Sequence, residues 1–116
     1  DAGKLIYEGK EKPAIWWYEG QIKQAKSKDK QVKLYVELAT NLNVLVRDNK
    51  TRYNLALKYA SKAEELVHDS DSAGALAGVY SRAGDQDNYA KYLQLSNERR
   101  SKEGKSSGDK NGLSAS

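Results

Sequence analysis

His68 is the one histidine of the chain, and there is no cysteine, so any metal or nucleophilic chemistry would have to start from it. It stands beside Asp69 at the end of an apolar-periodic segment, with no second ligand patterned around it. A cation at a helix C-terminus is the role that this position supports. Glu64 and Glu65 are adjacent, so on a helix they diverge by about 100° instead of converging as paired carboxylates. A solvated helix face accounts for them. No glycine-rich loop of the kind that cradles phosphate is present. The absence of cysteine removes disulfides, thiolate metal sites and thiol nucleophiles. These residues point away from catalysis and call for no cofactor or metal; what remains is the chemistry of binding.

Two features could bind. Trp16, Trp17 and Tyr18 are consecutive, and neighbours on a helix point about 100° apart, so both indole rings cannot reach one core. An exposed tryptophan here marks a contact surface, a joint to a neighbouring repeat or a cap over the end of the fold. Lys23, Lys26, Lys28, Lys30 and Lys33 face only Asp29 in one short stretch. This basic patch is either a solvated connection between helices or a surface for an acidic partner or nucleic acid. The sequence pI of 9.2 and rings able to stack on bases keep a basic nucleic-acid-binding helical domain as the alternative function, although no groove-reading motif accompanies them.

The elements that carry these residues are helices. Hydrophobic residues make up 38% and charged residues 31% of 116 residues, with a single proline, which suits one all-α domain and no turn-rich sandwich. No apolar run approaches the roughly 20 residues of a membrane span. Pro13 opens a first helix carrying Ile15, Tyr18, Ile22 and Ala25 on one face. A second runs from about Asp29 through Val32, Tyr35, Val36, Ala39, Leu42 and Val46. Thr51 caps a third, whose wide stripe of Leu55, Ala56, Tyr59, Ala60, Ala63, Leu66 and Val67 predicts a central position. A fourth follows the Asp69 to Ser72 capping cluster and stops at Gly84; a fifth starts near Asp85 and fades at Arg99, Arg100 and Lys102. The expected organisation is an N-terminal extension or partial helix over 1–12, about five helices over 13–103, and a flexible tail over 104–116.

A shift of about 34 residues superposes Ala39 on Ala73, Leu42 on Leu76, Val46 on Tyr80, Ala56 on Ala90 and Tyr59 on Leu93. The run Leu76-Ala77-x-x-Tyr80-x-x-x-Gly84-Asp85 resembles the first helix and turn of a tetratricopeptide (TPR) repeat. Asn54 to Ala63 resembles the second helix, with Ala56, Tyr59, Ala60 and Ala63 as packing positions. The resemblance covers roughly Val32 to Ser96 and implies a right-handed stack of antiparallel helix hairpins that binds a peptide or protein segment on its concave face.

Carried over position by position, the resemblance places Glu37, Thr40, Val44, Arg47 and Asp48 in the groove of one repeat. Asp71, Gly74, Ala75, Gly78, Ser81 and Arg82 take those places in the next. The two arginines suit an acidic ligand. Thr40, Val44 and Gly78 stand where the family's carboxylate clamp needs lysine and asparagine, which argues against that subclass. The expected function is that of a non-catalytic adaptor or scaffold holding a protein or peptide, with weak self-association through Trp16 and Trp17. The chain starts at Asp1 and holds no methionine. Its start therefore resembles a processing site and tips the compartment from cytoplasm towards cell envelope or secretion.

Overall fold

A computed structural model describes residues 2–43 and 49–104. The described residues form six helices and no strand. They are α1 (Ala2–Tyr7), α2 (Glu11–Gln24), α3 (Lys28–Leu42), α4 (Lys50–Leu66), α5 (Ser70–Ala83) and α6 (Gln86–Lys102). The pattern from Pro13 onwards predicts five of these. The sixth, α1, is the N-terminal segment, folded because Ile6 is fully buried in the core. The expected tail lies, from residue 105 on, outside the described residues, as does the second-helix position Val46.

Helix boundaries follow from short polar side chains placed where backbone N–H groups would otherwise lack partners. Ser27 accepts from the Lys30 N–H at 3.2 Å and opens α3. Asp69 accepts from the Ser72 N–H at 2.9 Å while the Asp69 N–H donates to Ser72 Oγ, a reciprocal capping box that opens α5. Gly84, at φ 84°, ends α5 in the left-handed conformation that a side chain would resist. One expected cap is corrected. Asn49, and not Thr51, opens α4, with its Oδ1 accepting from the Arg52 N–H at 3.0 Å; Thr51 already lies inside the helix.

The most extensive helix contacts are α5 with α6, α3 with α4 and α4 with α5; α1 and α2 pack on each other and on α3, and α5 also packs on α3. α3 touches α1, α2, α4 and α5, so it is the central helix, and the central place expected for α4 is corrected. The physical reason is that the α1–α2 hairpin lays its apolar face, Ile6, Ala14 and Tyr18, into the core that Leu38, Ala39 and Leu42 of α3 supply. α4 reaches that hairpin through side chains: Tyr59 Oη donates to Glu19 at 2.7 Å, and Arg52 reaches Glu11.

The shift by 34 residues is only half reflected in burial. Ala39 and Ala73, and likewise Leu42 and Leu76, are buried pairs. Ala56 and Tyr59 are buried as well, yet their counterparts Ala90 and Leu93 are exposed. α4 is covered by helices on two sides, whereas α6 lies along α5 and reaches α4 through the Arg99 side chain.

Arg52 is the one charged residue among the buried described residues. Its guanidinium donates to Glu11 Oε2 at 2.9 and 3.1 Å and to the Ile6 carbonyl at 2.6 Å, tying α4 to both helices of the first hairpin. Burial alone would raise the Glu11 pKa, but hydrogen bonds from its own backbone and from Arg52, with the Arg52 charge, hold it below its ordinary value. Removing the carboxylate takes a charge-assisted partner from a buried cation. Glu11→Ala is expected to lower unfolding free energy by about 3 kcal/mol in urea titration, and Arg52→Met, which removes the buried charge itself, by less. Equal losses in the two variants would show that the pairing is not what the seam depends on.

Candidate functional site

Two surface depressions concentrate the residues that could bind. The first is a cleft of about 330 Å³ between α3 and the start of α5. Its apolar floor is Val32, Val36 and Val67; its rim carries the carboxylates of Asp29, Glu37, Asp69 and Asp71, with Lys33 as the one cation among the lining residues. Helix periodicity explains the α3 contribution, because residues 29, 33 and 36 to 37 recur on one face at three- and four-residue steps. Glu37 is held in place from behind: Tyr18 Oη donates to Glu37 Oε2 at 2.6 Å and accepts from Asn41 Nδ2 at 2.8 Å. Burial, then the hydrogen bond and charge of Glu37, push the Tyr18 hydroxyl pKa well up, so it stays a donor.

The second depression, about 480 Å³, is a hollow on the outer face of α2 between Trp16, Trp17, Lys23 and Gln24, with Gly20 in its middle. Both indoles are exposed, Trp16 at 78% and Trp17 at 45%, while Tyr18 is buried, so the core takes the third aromatic of the run and leaves the first two to solvent. Trp17 still packs edge-on against the Tyr18 ring at 5.0 Å between centroids.

The structure distributes the remaining expected positions. Glu37 and Asp71, equivalent under the 34-residue shift, share the cleft. Thr40, Ser81 and Arg82 are exposed on α3 and α5 and do not line it. Gly74 and Gly78 face neighbouring residues without crowding: a Cβ on Gly74 would meet Ser96 Oγ of α6 at 3.4 Å, and one on Gly78 would meet Asn43 at 3.6 Å, both ordinary contact distances. Val44, Arg47 and Asp48 lie outside the described residues. The five lysines of the basic patch are all exposed; Lys33 lines the cleft and Lys23 the hollow, while Lys26, Lys28 and Lys30 line neither.

Glu64 is a correction. Instead of standing on a solvated face beside Glu65, its carboxylate receives Arg99 from α6 in a two-pronged pair at 2.7 and 2.9 Å. Ser72 Oγ donates to it at 2.9 Å, and His68 Nδ1 lies 2.9 Å away. A second polar clip closes the same end, where the N–H and hydroxyl of Ser70 both donate to Glu103, at 2.9 and 2.7 Å. Among the described residues, no group of three or more histidine, cysteine or acidic side chains is placed to hold a metal ion, and no helix is long and apolar enough to cross a membrane.

With this geometry in hand, the chain was compared with known proteins. No family model, no curated protein and no solved structure matches it.

Burial raises the Glu64 pKa, but hydrogen bonds from Arg99, His68 and Ser72 and the Arg99 charge outweigh it and bring the value from 4.5 to about 2. A carboxylate depressed in the folded state adds stability above its unfolded pKa and loses it as pH falls through the folded one. The advantage of the wild type over Glu64→Gln in thermal midpoint is therefore expected in full at neutral pH and to shrink between pH 4.5 and about 2. A pH-independent difference between the two proteins would contradict this assignment.

Proposed function

We propose that this chain is a TPR-like stack of helix hairpins, α1–α2, α3–α4 and α5–α6, that works as a non-catalytic adaptor holding a peptide segment in the cleft between α3 and α5. The reading is supported above all by the placement of Glu37 and Asp71, one repeat length apart, over a single valine-floored cleft. The buried pairs Ala39 with Ala73 and Leu42 with Leu76 support the same repeat register. Ligand sites of this kind combine an apolar floor with a few polar groups that fix orientation.

The chemistry of the rim sets the ligand class. Four carboxylates against one lysine favour a cationic segment. The valine floor favours an apolar side chain beside the cation. This differs from the acidic ligand that Arg47 and Arg82 suggest in the sequence, because Arg82 does not line the cleft and Arg47 lies outside the described residues.

Fluorescent peptides of alternating lysine and leucine, with glutamate and leucine as the opposite-charge control, test the reading in a titration with the wild type and Glu37→Gln/Asp71→Asn. The amide that replaces the Glu37 carboxylate keeps an oxygen that can accept from Tyr18. The lysine peptide is expected to bind, to weaken in high salt, and to lose about tenfold in affinity in the double variant. Equal affinity for the two peptides, or no loss in the variant, would sink the proposal.

A further inference from the structure

The outer face of α2 has a geometry that the cleft does not need. Gly20 stands one helical turn after Trp16 and one before Gln24, and a Cβ built on it meets nothing within 4 Å. The dent it leaves is open to solvent and walled by the side chains of Trp16, Trp17, Glu19, Gln21, Lys23 and Gln24. Lateral angles follow from 100° per residue. Trp16 and Lys23 project on one flank of the Gly20 line, and Trp17 and Gln24 on the other.

We infer that this face pairs with a second copy of the chain, two α2 helices packing antiparallel about a twofold axis at Gly20. In such a pair each flank meets its own kind, and residues on one flank whose distances before and after Gly20 differ by one come within a single residue rise of level. Trp16 of one copy then lies against Lys23 of the second, and Trp17 against Gln24, each contact occurring twice. An ammonium over an indole face is the favourable electrostatic match for both groups. The missing side chain at Gly20 lets the two backbones approach closely at the crossing point. No change in the chain is needed, since Trp16 is already 78% exposed. A single helix-on-helix contact belongs with interfaces below about 1,200 Å², so the dimer is a weak one.

The hollow is separate from the α3–α5 cleft, so this inference stands or falls apart from the peptide reading. Sedimentation equilibrium of the full chain from about 10 µM to about 1 mM tests it. The wild-type average mass is expected to rise from 12.9 kDa towards twice that value. Both tryptophans of the chain line the hollow, so their emission is expected to shift to the blue over the same range. Gly20→Arg places a good helix former where it meets nothing within the protein. It should keep the helical circular dichroism and hold the mass at the monomer. Lys23→Met should weaken the dimer by about threefold.

A wild type that stays at 12.9 kDa throughout would overturn the inference, as would a dimer undiminished in Gly20→Arg. A monomeric chain that binds a thymidine oligonucleotide or anionic phospholipid vesicles through Trp16 would overturn it as well, and would assign the hollow to that other surface.

Discussion

A buried guanidinium, and the Glu11 carboxylate and Ile6 carbonyl that hold it, constrain much of this structure. Arg52 sits at the first turn of α4, yet its partners Glu11 and the Ile6 carbonyl belong to the first hairpin. Desolvating an arginine costs several kcal/mol unless its partners are close and fixed. The position of the α1–α2 hairpin is therefore tied to one charge on α4. Further contacts depend on that seating. Only with α2 in place does Tyr18 reach Glu37 on α3, and only then is the Glu37 carboxylate fixed at the cleft rim. A pair of residues remote from the candidate site thus contributes to the placement of one of its four rim carboxylates.

The same style of construction recurs across the molecule. A chain without phenylalanine builds its aromatic contacts from tyrosine and tryptophan, and buried tyrosine hydroxyls need partners. Tyr18 finds Glu37 and Tyr59 finds Glu19, each across a helix boundary. The last two hairpins each hold a stacked tyrosine pair, Tyr35 with Tyr59 and Tyr80 with Tyr92. Alanine and glycine fill much of the remaining interface, which draws the helices together but leaves the polar pairs to specify register.

What could be read in advance divides along the range of the interaction. The helices from Pro13 onwards, the Asp69 to Ser72 capping cluster, the stop at Gly84 and the exposure of at least one of Trp16 and Trp17 are local, decided within one or two turns. The Arg52–Glu11, Glu64–Arg99 and Ser70–Glu103 contacts span 41, 35 and 33 residues, and no spacing rule connects such positions. Glu64 illustrates the difficulty: beside Glu65 it has the pattern of a solvated face until α6 brings Arg99 to it. Ala90 and Leu93 illustrate the converse. Their periodicity is that of a packed helix, and their exposure depends on whether another helix lies outside α6, which no local pattern encodes. Of the groove positions, Glu37 and Asp71 share a cleft, while Gly74 and Gly78 face Ser96 and Asn43 instead.

The contact between Ser70 and Glu103 has a consequence for chain entropy. It joins the first residue of α5 to the residue that follows α6, so the hairpin is closed at its open end as well as at the Gly84 turn. Ser96 Oγ, donating to the Ser70 carbonyl at 2.8 Å, adds a rung just inside. Fraying of α6 from its C-terminus must therefore break a charged clip before any helical backbone is freed, and with the Ser96 rung still made only the short segment beyond it has to be ordered again to close the clip. The end of α6, exposed and rich in charge, is thereby held as a cooperative part of the domain and not as a loose terminus.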